Sequence, residues 1–344
     1  MIELHFAVSS WYRRFTMPVD RIRASARPNI ALVKYWGKRA QRLNLPAVPS
    51  LSITLDSLET ATTVHPDASL TEDRFTLDGQ PDPAAAARVT PFVDLFRQLA
   101  RTDLRVAIDS ANNFPTAAGL ASSASGFAAL AVALDAAFEL SLDARRLSQL
   151  ARQGSGSAAR SIFGGYVEMH CGTRDDGEDA VAMPLADAND WPLEVVIAIT
   201  SLARKSVGST DGMVHTANTS PYYAAWIETA ERDMEDARAA IAARDFAALA
   251  QVSERSCLKM HAMAQAADPG LLYWNASTVD CMKAIRELRE GGCEVFFTID
   301  AGPQVKAVCS PADGDRVAAT LAAIDGVQSV LRTGLGGGAR IVGA

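Results

Sequence analysis

The order of the elements predicted after residue 194 constrains the fold of this chain more than any other feature. Strands are predicted at residues 194–200, 294–299, 304–309 and 327–333, and helices at 221–264, 277–290 and 314–323, with a loop between residues 200 and 221. The second and third of these strands flank a turn at residues 300–303 and form a hairpin. A strand, helices, a hairpin, a helix and a strand make the split βαβ order of a ferredoxin-like sandwich.

A second lobe is predicted before this unit, because 344 residues exceed what one small core needs. Short strands near residues 20–25, 30–35, 51–64, 104–109 and 164–169 are interspersed with helical segments at 85–100, 123–139 and 143–152. We therefore expect an α+β protein with an N-terminal lobe at residues 1–195 and a C-terminal lobe at residues 196–344.

Charge and composition exclude several classes of partner. The net charge of −7 opposes binding to a polyanion, so nucleic acid is not an expected partner. No apolar run approaches the roughly 20 residues that cross a bilayer, so no membrane partner is expected. The five cysteines are scattered without Cys-x-x-Cys spacing, which indicates reduced thiols and a cytoplasmic protein.

Residues 112–125 contain a flexible, hydroxyl-rich loop that leads into an alanine-rich helix. The start of a helix presents free backbone N–H groups and a positive dipole end, so the segment is typical of a site for nucleotide phosphates. It lacks the Gly-Lys-Ser/Thr ending of a Walker A loop. Taken alone, it fits equally a well-capped core helix that begins at Ser122 or Ser123.

Residues 28–39 place Lys34 and Lys38 beside Tyr35 and Trp36 at the end of an apolar strand. The two cations suit an anionic ligand. The alternative is that both lysines are solvated at the strand end while the aromatic rings belong to the core.

Residues 154–161, Gly-Ser-Gly-Ser-Ala-Ala-Arg-Ser, combine hydroxyl and backbone donors with a guanidinium group. Ser157 and Arg160 share a face of a helix start, and arginine offers a planar pair of donors to a carboxylate or phosphate. A helix cap with an exposed arginine explains the same pattern.

Asp300 ends the apolar strand at 295–299 and begins a Gly-Pro turn. An aspartate at this position commonly bonds only its own turn. If it lies beside the lysines and the arginine, however, nearby positive charge keeps it ionised, as a general base for an alcohol requires.

Together these four segments resemble the diphosphomevalonate decarboxylases, a family within the superfamily of galactokinase, homoserine kinase, mevalonate kinase and phosphomevalonate kinase. The resemblance extends over residues 23–342. It rests on Asn-Ile-Ala-x-x-Lys-Tyr-Trp-Gly-Lys-Arg, Pro-x-x-x-Gly-Leu-Ala-Ser-Ser-Ala, Gly-Ser-Gly-Ser-Ala-x-Arg-Ser and Phe-Thr-x-Asp-Ala-Gly-Pro, all present without gaps.

The resemblance implies an α+β GHMP kinase fold, with a ribosomal-protein-S5-domain-2-like, nucleotide-binding N-terminal lobe and a ferredoxin-like C-terminal lobe. It implies ATP-dependent decarboxylation of (R)-5-diphosphomevalonate to isopentenyl diphosphate, with Mg²⁺ bridging the ATP phosphates. It also implies a homodimer. A monophosphate decarboxylase or a mevalonate 3-kinase on the same fold remains an alternative, as does a non-enzymatic nucleotide-binding scaffold.

The resemblance also implies residue roles. In the reaction centre, Asp300 would be the base at the C3 hydroxyl, Arg160 would hold the substrate carboxylate, Lys34 would steady the transferring phosphoryl group, and Asn29 would orient its neighbours. Substrate-side positions are Tyr35, Trp36, Lys38, Ser155, Ser157 and Thr210. ATP-phosphate positions are Pro115, Gly119, Leu120, Ala121, Ser122 and Ser123.

Overall fold

The computed structural model describes residues 21–114, 121–203 and 206–343. Its strands are β1 Ile22–Ala26, β2 Asn29–Val33, β3 Lys38–Ala40, β4 Leu45–Pro46, β5 Ser50–Thr54, β6 Thr60–Pro66, β7 Arg74–Leu77, β8 Gln80–Pro81, β9 Val106–Asn112, β10 Tyr166–Met169, β11 Ala182–Ala186, β12 Glu194–Ile199, β13 Val295–Ile299, β14 Val305–Cys309, β15 Ser329–Gly334 and β16 Arg340–Gly343. Its helices are α1 Pro83–Ala100, α2 Ser122–Ala137, α3 Ala144–Gly154, α4 Ala158–Ser161, α5 Ser209–Thr219, α6 Tyr223–Glu228, α7 Ala230–Ala243, α8 Phe246–Gln265, α9 Ala276–Glu290 and α10 Gly314–Ala322.

The first half of the chain builds two main sheets, one of which is completed by the terminal strand β16. A six-stranded sheet has the order β16-β1-β6-β9-β7-β8, and a four-stranded antiparallel sheet has the order β11-β10-β5-β2. The helices α1, α2 and α3 enclose an apolar cluster with the six-stranded sheet. Because α2 is built largely of alanine and serine, its backbone can lie close to β1 and β6. In the four-stranded sheet, β2 is an edge strand, so its outer side can contact other parts of the chain.

The second half forms the sheet β13-β14-β12-β15, in which neighbouring strands are antiparallel. This order confirms the predicted ferredoxin-like sandwich. Side chains of β12 alternate between its two faces, as expected for a strand. Val196 and Ala198 join the cluster under α9 and α10, whereas Val195 and Ile197 join a cluster that also contains residues of β2 and α8. The two halves of the molecule thus share one of their cores.

Two helical predictions were wrong. The predicted loop between residues 200 and 221 contains α5, whose start at Gly208 has no side-chain cap and whose sequence includes Gly212, so local signals were weak. The predicted helix at 221–264 is three helices. Between α7 and α8, Arg244 adopts a left-handed conformation and the Asp245 side chain caps the next helix through Ala248 N–H.

The division of the chain near residue 195 stays a proposal. β12 begins at Glu194 and belongs to the second sheet, while the terminal strand β16 returns to pair with β1 of the first half. The glycine-rich segment before β16 lies close against the core, since a Cβ on Gly338 would be 2.4 Å from the carbonyl oxygen of Ile162. In the described parts of the chain, no helix combines the length and apolarity needed to span a membrane.

Candidate active site

The site forms where two edge strands from different sheets meet. β2 ends the N-terminal four-stranded sheet and β13 ends the C-terminal sheet, and the Thr298 hydroxyl of β13 donates to the carbonyl of Ala31 in β2 at 3.0 Å. Lys34 directly follows β2, and Asp300 directly follows β13. Two residues far apart in sequence are therefore brought together by the packing of the two halves.

Asp300 lies between two lysines. Its Oδ1 is 2.6 Å from Nζ of Lys34, and its Oδ2 is 3.3 Å from Nζ of Lys306. Both lysines are 1% exposed, whereas the carboxylate is partly open. Burial by itself would raise the pKa of Asp300, but the two ammonium charges outweigh it and hold that pKa well below its usual range. The carboxylate is therefore ionised at neutral pH.

Helix α8 fixes both strand ends. The backbone N–H of Lys34 donates to Ser256 Oγ at 2.9 Å, and the N–H of Ile299 donates to Cys257 Sγ at 3.2 Å. His261 Nε2 lies 3.2 Å from the carbonyl oxygen of Ile299, and because a carbonyl can only accept, this nitrogen carries the hydrogen. Cys257 and His261 are one turn apart on the same helix face. At the edge strand β13, side chains of α8 thus bond the backbone groups of Ile299 that a neighbouring strand would otherwise bond.

The buried imidazole of His261 predicts a specific loss of stability in acid. Burial lowers its pKa from 6.5 to about 3. Between these values the unfolded chain binds a proton at this imidazole that the folded chain does not bind. The contribution of His261 to the free energy of unfolding is therefore lost as the pH falls from 6.5 towards 3, by up to about 1.4 kcal/mol per pH unit. We expect His261→Gln to flatten the decline in the free energy of unfolding between pH 6 and pH 4, measured by urea denaturation.

The matched control for that experiment is His170→Gln, which removes a half-exposed imidazole from β10's end. The slope of stability against pH is the quantity compared, because any buried substitution lowers stability itself. A His261→Gln slope equal to that of the wild type would contradict the assignment of a neutral buried imidazole.

Arg160 is held in one orientation by side chains of β2 and β5 in the four-stranded sheet. Its Nε donates to Ser52 Oγ at 2.9 Å, its Nη1 to Ser50 Oγ at 2.7 Å, and its Nη2 to Asn29 Oδ1 at 3.2 Å. The Asn29 amide in turn donates to Ser161 Oγ at 2.8 Å. The three contacts of Arg160 with described residues use one N–H on each nitrogen, which leaves one N–H on Nη1 and one on Nη2 for a carboxylate as far as those residues go.

Arg160 belongs electrostatically to the same site as Asp300. Burial lowers the pKa of Arg160 to about 10, and the charge of Asp300 opposes that change. The guanidinium carbon also lies 5.9 Å from the centre of the Tyr35 ring. A Cβ on Gly156 would fall 2.3 Å from the Tyr35 hydroxyl, so only glycine admits the ring there.

The other substrate-side predictions divide into two groups. Lys38 Nζ donates to Thr210 Oγ1 at 3.1 Å, and the hydroxyls of Ser155 and Ser157 are 3.3 Å apart, so these four form two pairs of polar groups. Trp36 is buried, and its indole N–H donates to Thr216 Oγ1 at 2.8 Å. It packs in a core cluster with residues of α5 and α8.

The predicted phosphate-binding segment is described only from Ala121 onward; Pro115, Gly119 and Leu120 lie outside the described residues. Ala121 adopts a left-handed conformation with φ 58°, α2 begins at Ser122, and no side chain caps the helix. Its first N–H groups therefore have no side-chain acceptor among the described residues. Ser123 Oγ is 3.4 Å from Ser155 Oγ, which joins this helix start to the substrate-side serines.

A cavity of about 340 Å³ opens beside this helix start. Ser122 and Ser123 line it, together with polar Asn112 and apolar side chains such as Phe127. This volume and this mixture of apolar walls with a few polar groups are those of a small-molecule site.

Two cationic residues of the site were missed from the sequence. Lys306 lies inside β14, and the available signal was its position in the otherwise apolar run Val-Lys-Ala-Val-Cys. Arg88 of α1 lines the cavity. Burial lowers the pKa of Lys38, and the charge of Arg88 lowers it further, which places this guanidinium near Lys38.

For Lys34, Arg160 and the helix at Ser122 the structural alternatives are not observed, whereas Trp36 does lie in the core. Lys34 is buried against Asp300 rather than solvated, and Arg160 is 2% exposed rather than a surface arginine. The helix at Ser122 lacks the side-chain cap that a simple core helix would use.

Two family models match the chain. The model described as diphosphomevalonate decarboxylase-like N-terminal domain matches residues 26–182, and the model described as mevalonate 5-diphosphate decarboxylase C-terminal domain matches residues 195–332. The diphosphomevalonate decarboxylase of Eremothecium gossypii is 39% identical over 293 residues, which cover 80% of this chain and 74% of that protein.

Solved structures agree with the family models. A structure of MDDEF in complex with MVAPP, AMPPCP and magnesium is similar with a TM-score of 0.88 and 38% identity, covering 94% of this chain and 99% of that chain. A structure concerned with ATP binding mediated by mevalonate diphosphate, of the mevalonate diphosphate decarboxylase from Enterococcus faecalis, has a TM-score of 0.87 and 37% identity with the same coverage.

Proposed function

Since the chain belongs to the diphosphomevalonate decarboxylase family, we propose that Asp300, Lys34, Arg160 and Asn29 form its reaction centre. The enzyme carries out the ATP-dependent decarboxylation of (R)-5-diphosphomevalonate to isopentenyl diphosphate, releasing ADP, phosphate and carbon dioxide. The observation that carries the residue assignment is the ionised Asp300 carboxylate, which is set between two buried lysines and whose charge acts on Arg160.

Asp300 accepts the proton of the tertiary C3 hydroxyl as that oxygen is phosphorylated. A base for this step has to be ionised and partly accessible, and Asp300 has both properties. Lys34 stands at the same carboxylate, where its ammonium group can turn to the negative charge of the transferring phosphoryl group.

Arg160 holds the substrate carboxylate with its two remaining N–H groups. Ser50, Ser52 and Asn29 fix the guanidinium plane, so little ordering is left for binding. Holding the carboxylate in line with the C3–oxygen bond lets the electrons released with carbon dioxide form the double bond as phosphate departs. Asn29 acts by orienting Arg160.

The diphosphate end of the substrate is placed by Tyr35, Lys38, Ser155, Ser157 and Thr210. Lys38 supplies the positive charge, the two serines and Thr210 supply hydroxyl donors, and Trp36 supports this wall from the core. A local group of donors beside an ammonium charge suits a diphosphate group despite the negative net charge of the protein.

ATP fits the cavity beside α2. The uncapped N–H groups at Ala121–Ser123 suit its phosphates, and the cavity next to them has room for its base. Bound with Mg²⁺, ATP supplies the phosphoryl group. Among the described residues, no group of three or more His, Cys, Asp or Glu is arranged to hold a metal ion, which fits a Mg²⁺ carried mainly by phosphate oxygens.

The function is tested by incubating the pure protein with ATP and Mg²⁺ and either 5-diphosphomevalonate, 5-phosphomevalonate or mevalonate. Carbon dioxide and phosphate should be released together, and fastest from the diphosphate. Faster turnover of the monophosphate would assign the sister decarboxylase activity instead. Phosphorylation without carbon dioxide would assign a 3-kinase.

A cytoplasmic location and a homodimer are further proposals. Five cysteines without a disulfide partner suit a reducing compartment. Fractionation of the source cells and sedimentation of the purified protein test the two proposals.

A further inference from the structure

Lys306 is an unusual residue for its position. It lies within β14, all five residues of which are buried, and its side chain is 1% exposed. Its Nζ is 3.3 Å from Asp300 Oδ2 and 3.4 Å from the carbonyl oxygen of Gln304. Burial lowers the pKa of this lysine, and the Asp300 carboxylate opposes that change. A cation is kept inside a strand at an energetic cost that an apolar residue would avoid.

The two lysines hold the carboxylate differently. Lys34 lies beyond the end of β2 and contacts Oδ1. Lys306 lies within a strand, contacts Oδ2, and is held additionally by Gln304. Lys34 is therefore placed to exchange partners, whereas Lys306 is placed to stay.

We propose that Lys306 is a positioning residue for the reaction: it remains paired with Asp300 Oδ2 while Lys34 leaves Oδ1 for the transferring phosphoryl group. The inference rests on the proposed function, in which Asp300 is the base and Lys34 contacts the phosphoryl group. Without Lys306, the departure of Lys34 would leave a largely buried carboxylate with no ammonium group of the described residues beside it. Such a carboxylate takes up a proton and can no longer act as a base.

The groups around Asp300 simplify the expected pH dependence. Lys34 faces it from β2, Lys306 from β14, Arg160 from α4, and Cys257 and His261 from α8. Burial raises the pKa of Cys257 to about 11 and lowers that of His261 to about 3, so both are neutral between pH 5 and pH 9. A change in the acid limb of kcat in this range therefore reports on Asp300 and the cations beside it.

The test compares kcat and KM of Lys306→Met, Lys306→Arg and Lys34→Met with those of the wild type from pH 5.5 to pH 9, using ATP, Mg²⁺ and 5-diphosphomevalonate. In Lys306→Met, the acid limb of kcat should rise by about three to four pH units from below the measured range, so that kcat at pH 5.5 is at least about threefold lower than at pH 8. KM for the substrate should change less than about threefold. Lys306→Arg, which keeps the charge, should restore the position of the limb.

Lys34→Met provides the contrast, because Asp300 keeps Lys306 in that variant. It should lose activity by a similar factor at every pH, without moving the limb. The exposed Lys283→Met of α9 is the matched control and should follow the wild type. If Lys306→Met does not fold, the acid limb of kcat in Lys34→Met still tests the proposal. An upward shift of that limb would overturn it.

An unshifted limb in Lys306→Met, or a loss that is uniform with pH, also overturns it. This failure is distinct from failure of the proposed function. The latter would appear as normal turnover in Asp300→Ala, or as the absence of carbon dioxide release from the wild type.

Discussion

Asp300→Ala should lower kcat by at least about 10²–10⁴-fold, because it removes the ionised base that accepts the C3 hydroxyl proton. Steady-state release of carbon dioxide from 5-diphosphomevalonate measures the effect. Binding of ATP, measured by calorimetry, should be nearly unchanged, since Asp300 lies at the end of β13 and not among the residues that line the nucleotide cavity.

This substitution also has a structural cost. It leaves Lys34 and Lys306 buried without the carboxylate that both of them face, and breaking a buried ion pair in this way typically costs about 3–5 kcal/mol. Activity is therefore compared well below the measured unfolding temperature, and Asp300→Asn, which keeps the shape, is assayed beside it. Asp280→Ala, at an exposed aspartate of α9, is the matched control. Turnover near the wild-type rate in both Asp300 variants would rule out this residue as the base.

Arg160→Gln should reduce kcat/KM for 5-diphosphomevalonate by about 10²–10³-fold, because a buried charge pair with the substrate carboxylate is lost. Glutamine can retain part of the network with Ser50 and Ser52 but cannot offer two parallel N–H groups to a carboxylate. Initial-rate kinetics measure the effect, with nucleotide affinity expected to stay within a few-fold of the wild type.

The control for this variant is Arg145→Gln, which removes an exposed guanidinium from α3 in the same half of the chain. It should leave kcat/KM unchanged. An Arg160→Gln enzyme with full decarboxylation efficiency would show that the substrate carboxylate is held elsewhere.

The local features of this site could be predicted from the sequence. Short patterns of apolar and turn residues predict three local elements, and all three occur in the structure. They are the strand before Lys34, the strand before Asp300 and the helix that begins at Ser122. The contact between Lys34 and Asp300 could not be derived from periodicity, because it depends on how the edges of two separate sheets pack through Thr298 and Ala31.

Lys306 shows a second limit. Strand periodicity places residue 306 in β14, but both faces of that strand are covered, and whether a lysine there is paired depends on a carboxylate across the turn. The helix α5 was missed for a different reason. Its sequence has weak helix propensity, and its packing against α8, rather than its own residues, accounts for its stability.

The most direct test of the central claim is a crystal structure of this protein with 5-diphosphomevalonate and a non-transferable ATP analogue. We expect an Asp300 carboxylate oxygen about 2.6–3.2 Å from the C3 hydroxyl, with Arg160 on the substrate carboxylate. A substrate whose C3 hydroxyl is out of reach of Asp300, or whose carboxylate lies away from Arg160, would contradict the account.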